Sequence, residues 1–210
     1  MGRSSTAHER LLDAACQLMR RRGYASVGVA EICALADVRK GSFYHFFESK
    51  QALTLAVIDS HWAGQRMEWV ATLSQPGSPL DRLEQLFRAT RTTQEALRET
   101  AGAVSGCLLA NLALELSGQE AAVQARLREV FEDEIGLILS VLEEAAAAGD
   151  IPAASAGRGT ARAMVAQMEG MILFAKLNDD PALLDELWAQ TARLLGARDA
   201  EALEGAAGRA

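Results

Sequence analysis

At 210 residues, 50% hydrophobic and 23% charged, with a formal net charge of -7, the chain can bury a core in one or two domains and fits no class of disorder. No stretch approaches the roughly 18 consecutive apolar residues of a membrane span and no long apolar segment opens the chain, so a cytoplasmic location without a membrane partner is expected. Three cysteines, Cys16, Cys33 and Cys107, are widely spaced with no CxxC pair, which suggests neither a disulfide framework nor a zinc site.

Abundant Ala, Leu, Glu, Arg and Gln, few β-branched runs and four prolines predict an all-α chain of about nine helices. The first spans roughly His8 to Arg22 and closes on Arg20, Arg21 and Arg22 before Gly23, cations and a glycine being the expected C-terminal chemistry. Two short helices, Val29 to Leu35 and Arg39 to Phe46, flank a tight Ala36-Asp37-Val38 connection, the spacing of a helix-turn-helix. From Ser49, a cap, the helices lengthen: one to Leu73, then Leu80 to Thr100 behind a Ser78-Pro79 start, Ser105 to Leu116, Glu120 to Ala148, Ala156 to Leu177, and Pro181 to Leu195. The expected division is residues 1–47 as a three-helix helix-turn-helix domain, 48–196 as a six-helix regulatory and dimerisation domain, and 197–210 as a frayed tail.

The run "RKGSFYHFFESK", residues 39–50, carries the chemistry. Reading DNA requires a short helix whose first side chains reach base edges, flanked by cations and hydroxyls that hold phosphate. Arg39 and Lys40 stand at the helix start, Gly41 lets the backbone approach a duplex, Ser42, Tyr44 and His45 offer hydrogen bonds, and Lys50 opens the next helix. Phe43 and Phe47, four apart, share a face suited to packing. The first fifty residues hold eight Lys and Arg against five Asp and Glu, the rest thirteen against twenty-three, as for a polyanion-binding module on an acidic body.

The segment "GYASVGVAEICALADVRKGSFYHFFESKQAL", residues 23–53, resembles the TetR-type bacterial transcriptional regulators, with Gly23, Tyr24, Lys40, Gly41, Phe43, Tyr44, His45, Phe47 and Lys50 among the matching positions. The resemblance implies a homodimer that sets two copies of the 39–46 helix into successive major grooves of double-stranded operator DNA. It also implies a larger helical domain that binds a small molecule. Val27-Gly28 departs from the hydroxyl pair usual in the family, leaving Ser26 as a substitute cap or the backbone N–H groups at Gly28 for phosphate. Asp37 replaces the usual turn glycine, and Asp tolerates the left-handed conformation.

In the larger domain, Cys107, Asn111 and Glu115 recur every four residues beside an apolar row of Leu108, Leu112 and Leu116. Trp62 and Trp69 lie on one stripe, and with Phe87, Cys107, Asn111 and Met168 they are candidate contacts for a small, largely apolar effector, or core. If Ser105 or Gly106 caps its helix, Cys107 occupies a first turn, where the dipole favours thiolate, giving an alternative reading as an electrophile or redox sensor. Ile172, Leu184, Leu187, Trp188 and Leu194 are the candidate dimer interface. With no phosphate loop, HExxH or GxSxG motif, no catalysis, metal or cofactor is expected. The sequence therefore reads as a ligand-responsive DNA-binding regulator, a repressor released by a small molecule.

Overall fold

The structure, a computed structural model, describes residues 6–197. Apart from Ala197, which is buried, the expected tail lies outside the described residues. Among the described residues nine α-helices run in chain order: α1 (Ala7–Arg22), α2 (Val29–Leu35), α3 (Lys40–Phe46), α4 (Lys50–Leu73), α5 (Pro79–Ala101), α6 (Leu108–Leu116), α7 (Ala121–Ala148), α8 (Arg158–Asn178) and α9 (Leu187–Leu195). Short 3-10 turns cover Ala153–Ser155 and Pro181–Glu186, and no strand occurs among the described residues. The all-α class is as expected.

Local chemistry sets most boundaries. Thr6 and Glu9 form a reciprocal capping box on α1, and Ser78 and Asp81 form another on α5 behind Pro79. The Ser49 hydroxyl accepts the Ala52 N–H at the start of α4. Two starts differ from expectation by more than two residues. Gly106 has φ 78°, which breaks the helical path, so α6 begins at Leu108 and Cys107 is its N-cap rather than a first-turn residue. Asp180 accepts from the Ala182 N–H, only two residues on, and the chain from Pro181 winds as a 3-10 turn before α9 starts at Leu187.

The chain divides into two compact units. The first comprises the chain up to Gln65 together with Cys107–Val130, and the second comprises Arg66–Gly106 together with the chain from Phe131 onward. The first has a core built on Leu11, Met19, Ile32, Phe43, Leu53 and Leu112, each at most 1% exposed. Burial of a side chain such as Phe43 contributes about 2–3 kcal/mol, enough for one ring to decide whether a seven-residue helix stays docked. The second unit packs Leu83, Phe87, Ile138, Leu142, Ala161 and Leu187. The helix-turn-helix segment lies in the first unit, which extends past residue 47 and takes in α6 from later in the chain.

Candidate nucleic-acid interface

α2 and α3 are joined through Ala36, Asp37 and Val38, with Asp37 at φ 50°, the left-handed turn the sequence demanded. The Val38 N–H donates to Cys33 O at 2.9 Å, and Arg10 Nε of α1 donates to Ala36 O at 2.9 Å, pinning the turn from outside. Nothing in the spacing of Arg10 announces that role. Buried Cys33 is a small core residue, as expected. Phe43 and Phe47 are buried with ring centroids 5.8 Å apart, and His8 of α1 stacks on Phe47 at 5.0 Å. These contacts fix the roll of α3.

Fixing the roll decides which side chains remain outside. Arg39, Lys40, Gly41, Tyr44 and His45 are exposed and Ser42 is half-buried. Tyr44 keeps 58% of its surface, its ring meeting Phe43 edge-on at 5.2 Å. Among the described residues, the side chains of Arg39, Lys40, Ser42 and His45 make no hydrogen bond or ion pair, so their donors and acceptors are open to an outside partner. A solvent-facing surface that presents two cations, a hydroxyl, an imidazole and a phenol on one helix is suited to phosphate and base edges. Gly41 has nothing within 4 Å of where a Cβ would stand, so its fit must be to something outside the subunit or to none.

The loop between α1 and α2 is different. Gly23, at φ 80°, caps α1, and Gly28 caps α2 with no side-chain hydrogen bond. Ser26 is no substitute cap, because its hydroxyl donates back to Arg22 O at 2.6 Å. Lys50, expected at phosphate, donates to Tyr24 O and Val27 O, both at 2.8 Å, and lies 3.8 Å from the Tyr24 ring centroid. Two of its three N–H bonds are thus committed inside the subunit, and burial pulls its pKa down from the ordinary lysine value. The Glu115 carboxylate of α6 accepts the Tyr24 and Ala25 N–H groups, both at 2.6 Å. Burial, followed by the charge of Glu120, pushes the Tyr24 phenol up.

The remaining sequence candidates fall as follows. Trp62, Cys107 and Asn111 belong to the first unit and Trp69, Phe87 and Met168 to the second. Trp62, Trp69, Phe87 and Met168 are buried, while Cys107 and Asn111 are half-buried. Within the second unit a cleft of about 300 Å³ is lined by Phe87, Leu184 and Trp188 and rimmed by Arg88, Arg91, Glu95 and Asp185. Its rim is more polar than the expected apolar site. The Phe87 and Trp188 rings meet edge-on at 5.9 Å, and Thr90 reaches Met168 Sδ at 3.6 Å.

Of the five expected interface residues, Ile172, Leu184, Leu187 and Trp188 are buried within their own subunit, at 6% exposure or less. Leu194, 74% exposed, has apolar surface left to offer, and so do Leu173, Phe174 and Leu177 of α8, which are exposed by 54–75%. Among the described residues no helix is long and apolar enough to cross a membrane, and no cluster of His, Cys, Asp and Glu could hold a metal.

Two family models match the chain: the bacterial regulatory proteins of the tetR family over residues 11–57, and the tetracyclin repressor-like C-terminal domain over residues 79–191. The transcriptional regulator AcuR of Cereibacter sphaeroides is 36% identical over 181 residues, covering 85% of this chain and 80% of that one. Among solved structures, the regulatory protein TetR from Rhodobacter sphaeroides superposes with a TM-score of 0.81 at 32% identity, covering 90% of this chain and 98% of the other. The reduced form of E. coli NemR superposes with a TM-score of 0.79 at 27% identity, covering 89% and 95%.

Proposed function

The chain belongs to the TetR family of bacterial transcriptional regulators, DNA-binding proteins and not enzymes, and we propose that it is a ligand-responsive repressor. In this reading a homodimer binds a palindromic operator through Gly28, Arg39, Lys40, Gly41, Ser42, Tyr44 and His45, and a small molecule releases it. The observation that carries the reading is the α3 surface: its apolar side is locked by Phe43 and Phe47 while its polar side has no partner among the described residues. Lys50 retains a secondary role, with one N–H left for phosphate after its two carbonyl bonds. Trp69, Phe87 and Met168 of the second unit are the effector contacts we favour, since buried aromatic and thioether groups suit a largely apolar ligand.

Repression acts through a dimer because two half-sites reinforce each other only when the two readers are joined. Leu194, with Leu173, Phe174 and Leu177, supplies the apolar surface for that joining. The test is selection of binding sites from random duplexes by the full-length protein, followed by reporter expression with and without the gene. Recovery of an inverted repeat and derepression on deletion are expected; enrichment of no sequence would defeat the reading.

A second reading has its own observation. Cys107 is half-buried, unlike the buried Cys33, and as N-cap of α6 its Sγ accepts the Ala110 N–H at 3.5 Å. Burial pushes the thiols of Cys16 and Cys33 up, which keeps them protonated and inert. In this alternative, modification of Cys107 by an electrophile or oxidant adds bulk at the start of α6 and releases DNA. Cys107→Ser should abolish thiol-dependent release in a gel shift, whereas Cys16→Ser and Cys33→Ser should not.

A further inference from the structure

α6 belongs to the compact unit that contains the DNA-reading helices, although the chain enters it from the second unit at Gly106 and returns there after Val130. Its connection to the reader is specific. Glu115 directs both carboxylate oxygens at the α1–α2 loop, Oε2 to the Tyr24 N–H and Oε1 to the Ala25 N–H, each at 2.6 Å. The loop bends toward this carboxylate at Gly23, where a Cβ would stand 2.8 Å from Oε2 on a backbone of φ 80°. From the other side Lys50 takes the Tyr24 and Val27 carbonyls. A short stretch of backbone is therefore held by an anion on its N–H groups and a cation on its C=O groups. Charge-assisted bonds of this kind are roughly twice as strong as neutral ones.

We propose that Glu115 is a positioning residue for DNA recognition: its carboxylate fastens α6 to the α1–α2 loop and sets the register of α2 and α3 for operator binding. It rests on the reading of this unit as the operator-binding one. The loop leads directly into α2, which the Arg10-pinned turn joins to α3, so a displacement of the loop is passed to the reading surface with no flexible segment between. Of the two anchors only Glu115 lies on a segment tied by the chain to the second unit at both ends. It is thus the anchor through which a shift at the Gly106–Cys107 entry reaches the loop.

The sign of one substitution separates this from simpler roles. Glu115→Gln keeps the size of the side chain but removes the negative charge and one acceptor. As a mere surface charge on a DNA-binding protein, its removal would strengthen binding to every duplex by lessening repulsion. As a positioning residue, its removal weakens operator binding about tenfold or more while affinity for random duplex holds or rises. The full-length protein, E115Q, E115D and the exposed-carboxylate control E99Q would be compared on the duplex selected by wild type and on a random duplex, with amide exchange followed alongside. Exchange at Tyr24 and Ala25 should accelerate about tenfold in E115Q while amides of α1 and α3 stay within about twofold, and E99Q, at an exposed position, should leave exchange at Tyr24 and Ala25 unchanged. E115D, which keeps the charge but shortens the reach, should weaken operator binding as well. Unchanged exchange at Tyr24 and Ala25, unchanged or tighter operator binding in E115Q, or equal loss on both duplexes with a fall in melting temperature would each overturn the assignment. Failure of wild type to select any sequence would count against the operator-binding function instead, and the exchange measurement would still decide whether the carboxylate holds the loop.

Discussion

Lys40 and Lys50 lie in one unit and in one continuous motif, yet they do opposite things. Lys40 is exposed and has no side-chain partner among the described residues, whereas Lys50 is half-buried and fastened to two carbonyls and a ring. Leu194 and Leu187 repeat the contrast with apolar chemistry: the first is 74% exposed, the second 0%. A group already committed inside its own subunit is no longer available to a partner. What distinguishes binding residues from structural ones here is whether the fold has left them anything to bind with, not their residue type.

The largest effect should come from the leucines. Leu187→Asp places a charge at a fully buried position and should cost more than about 4 kcal/mol, seen as loss of cooperative unfolding in calorimetry. Leu194→Asp should keep its helical circular dichroism but sediment as a monomer at micromolar concentration and bind operator far more weakly. If both variants behaved alike, the distinction between committed and open surface would fail.

Glu134 tests the same idea with a buried carboxyl. It is 1% exposed, its Oε2 has no partner, and burial, followed by the charges of Glu169 and Asp133, pushes its pKa up to about 8. The folded state keeps a proton that the unfolded chain gives up above its ordinary value near 4.5, so stability should fall as pH rises from about 4.5 to about 8 and then level off. Glu134→Gln should flatten that limb, and a melting temperature as pH-dependent as wild type would break the prediction. His61 acts on the acid side, its pKa lowered to about 4 by burial and by Arg20. The unfolded chain gains a proton below about 6.5 that the folded one refuses until about 4, so stability should be lost as pH falls through that window, and His61→Gln should lessen the loss.

The lysine pair sharpens the comparison at smaller scale. Lys50→Ala leaves two carbonyls unmet and should cost about 3 kcal/mol of stability together with operator binding. Lys40→Ala should change stability by less than about 0.5 kcal/mol and lower the salt dependence of DNA binding by about one counterion. Similar stability losses in the two variants, measured by denaturant titration, would contradict the assignment.

Local rules made the fold readable. Capping residues, the glycine stop at Gly23 and the Asp37 turn are decided by neighbours a few positions away, and α2 was placed to the residue. The α3 surface was readable because Phe43 and Phe47 fix its inward side by spacing alone. Lys50 was not, because its partners lie 23 and 26 positions earlier, and Glu115 was hidden further still, 91 positions from Tyr24. Leu187 and Leu194 fall on nearly the same angular stripe of α9 but at opposite ends. Periodicity gives the angle of a side chain and not which neighbour lies beside its turn. The 3-10 winding of Pro181–Glu186 adds a second error, since about 120° per residue instead of 100° rotates Leu184 out of the phase a continuous helix would give.

The insertion of Cys107–Val130 into the first unit also has a consequence for how the protein comes into being. A unit assembled from two stretches of chain cannot close when its first stretch leaves the ribosome. The segment up to Gln65 emerges with the Tyr24 and Ala25 N–H groups still lacking their carboxylate, and it waits while Arg66–Gly106 is synthesised before α6 arrives. The α3 surface is made before α6, and its fastening is completed only after the whole of Arg66–Gly106 has followed.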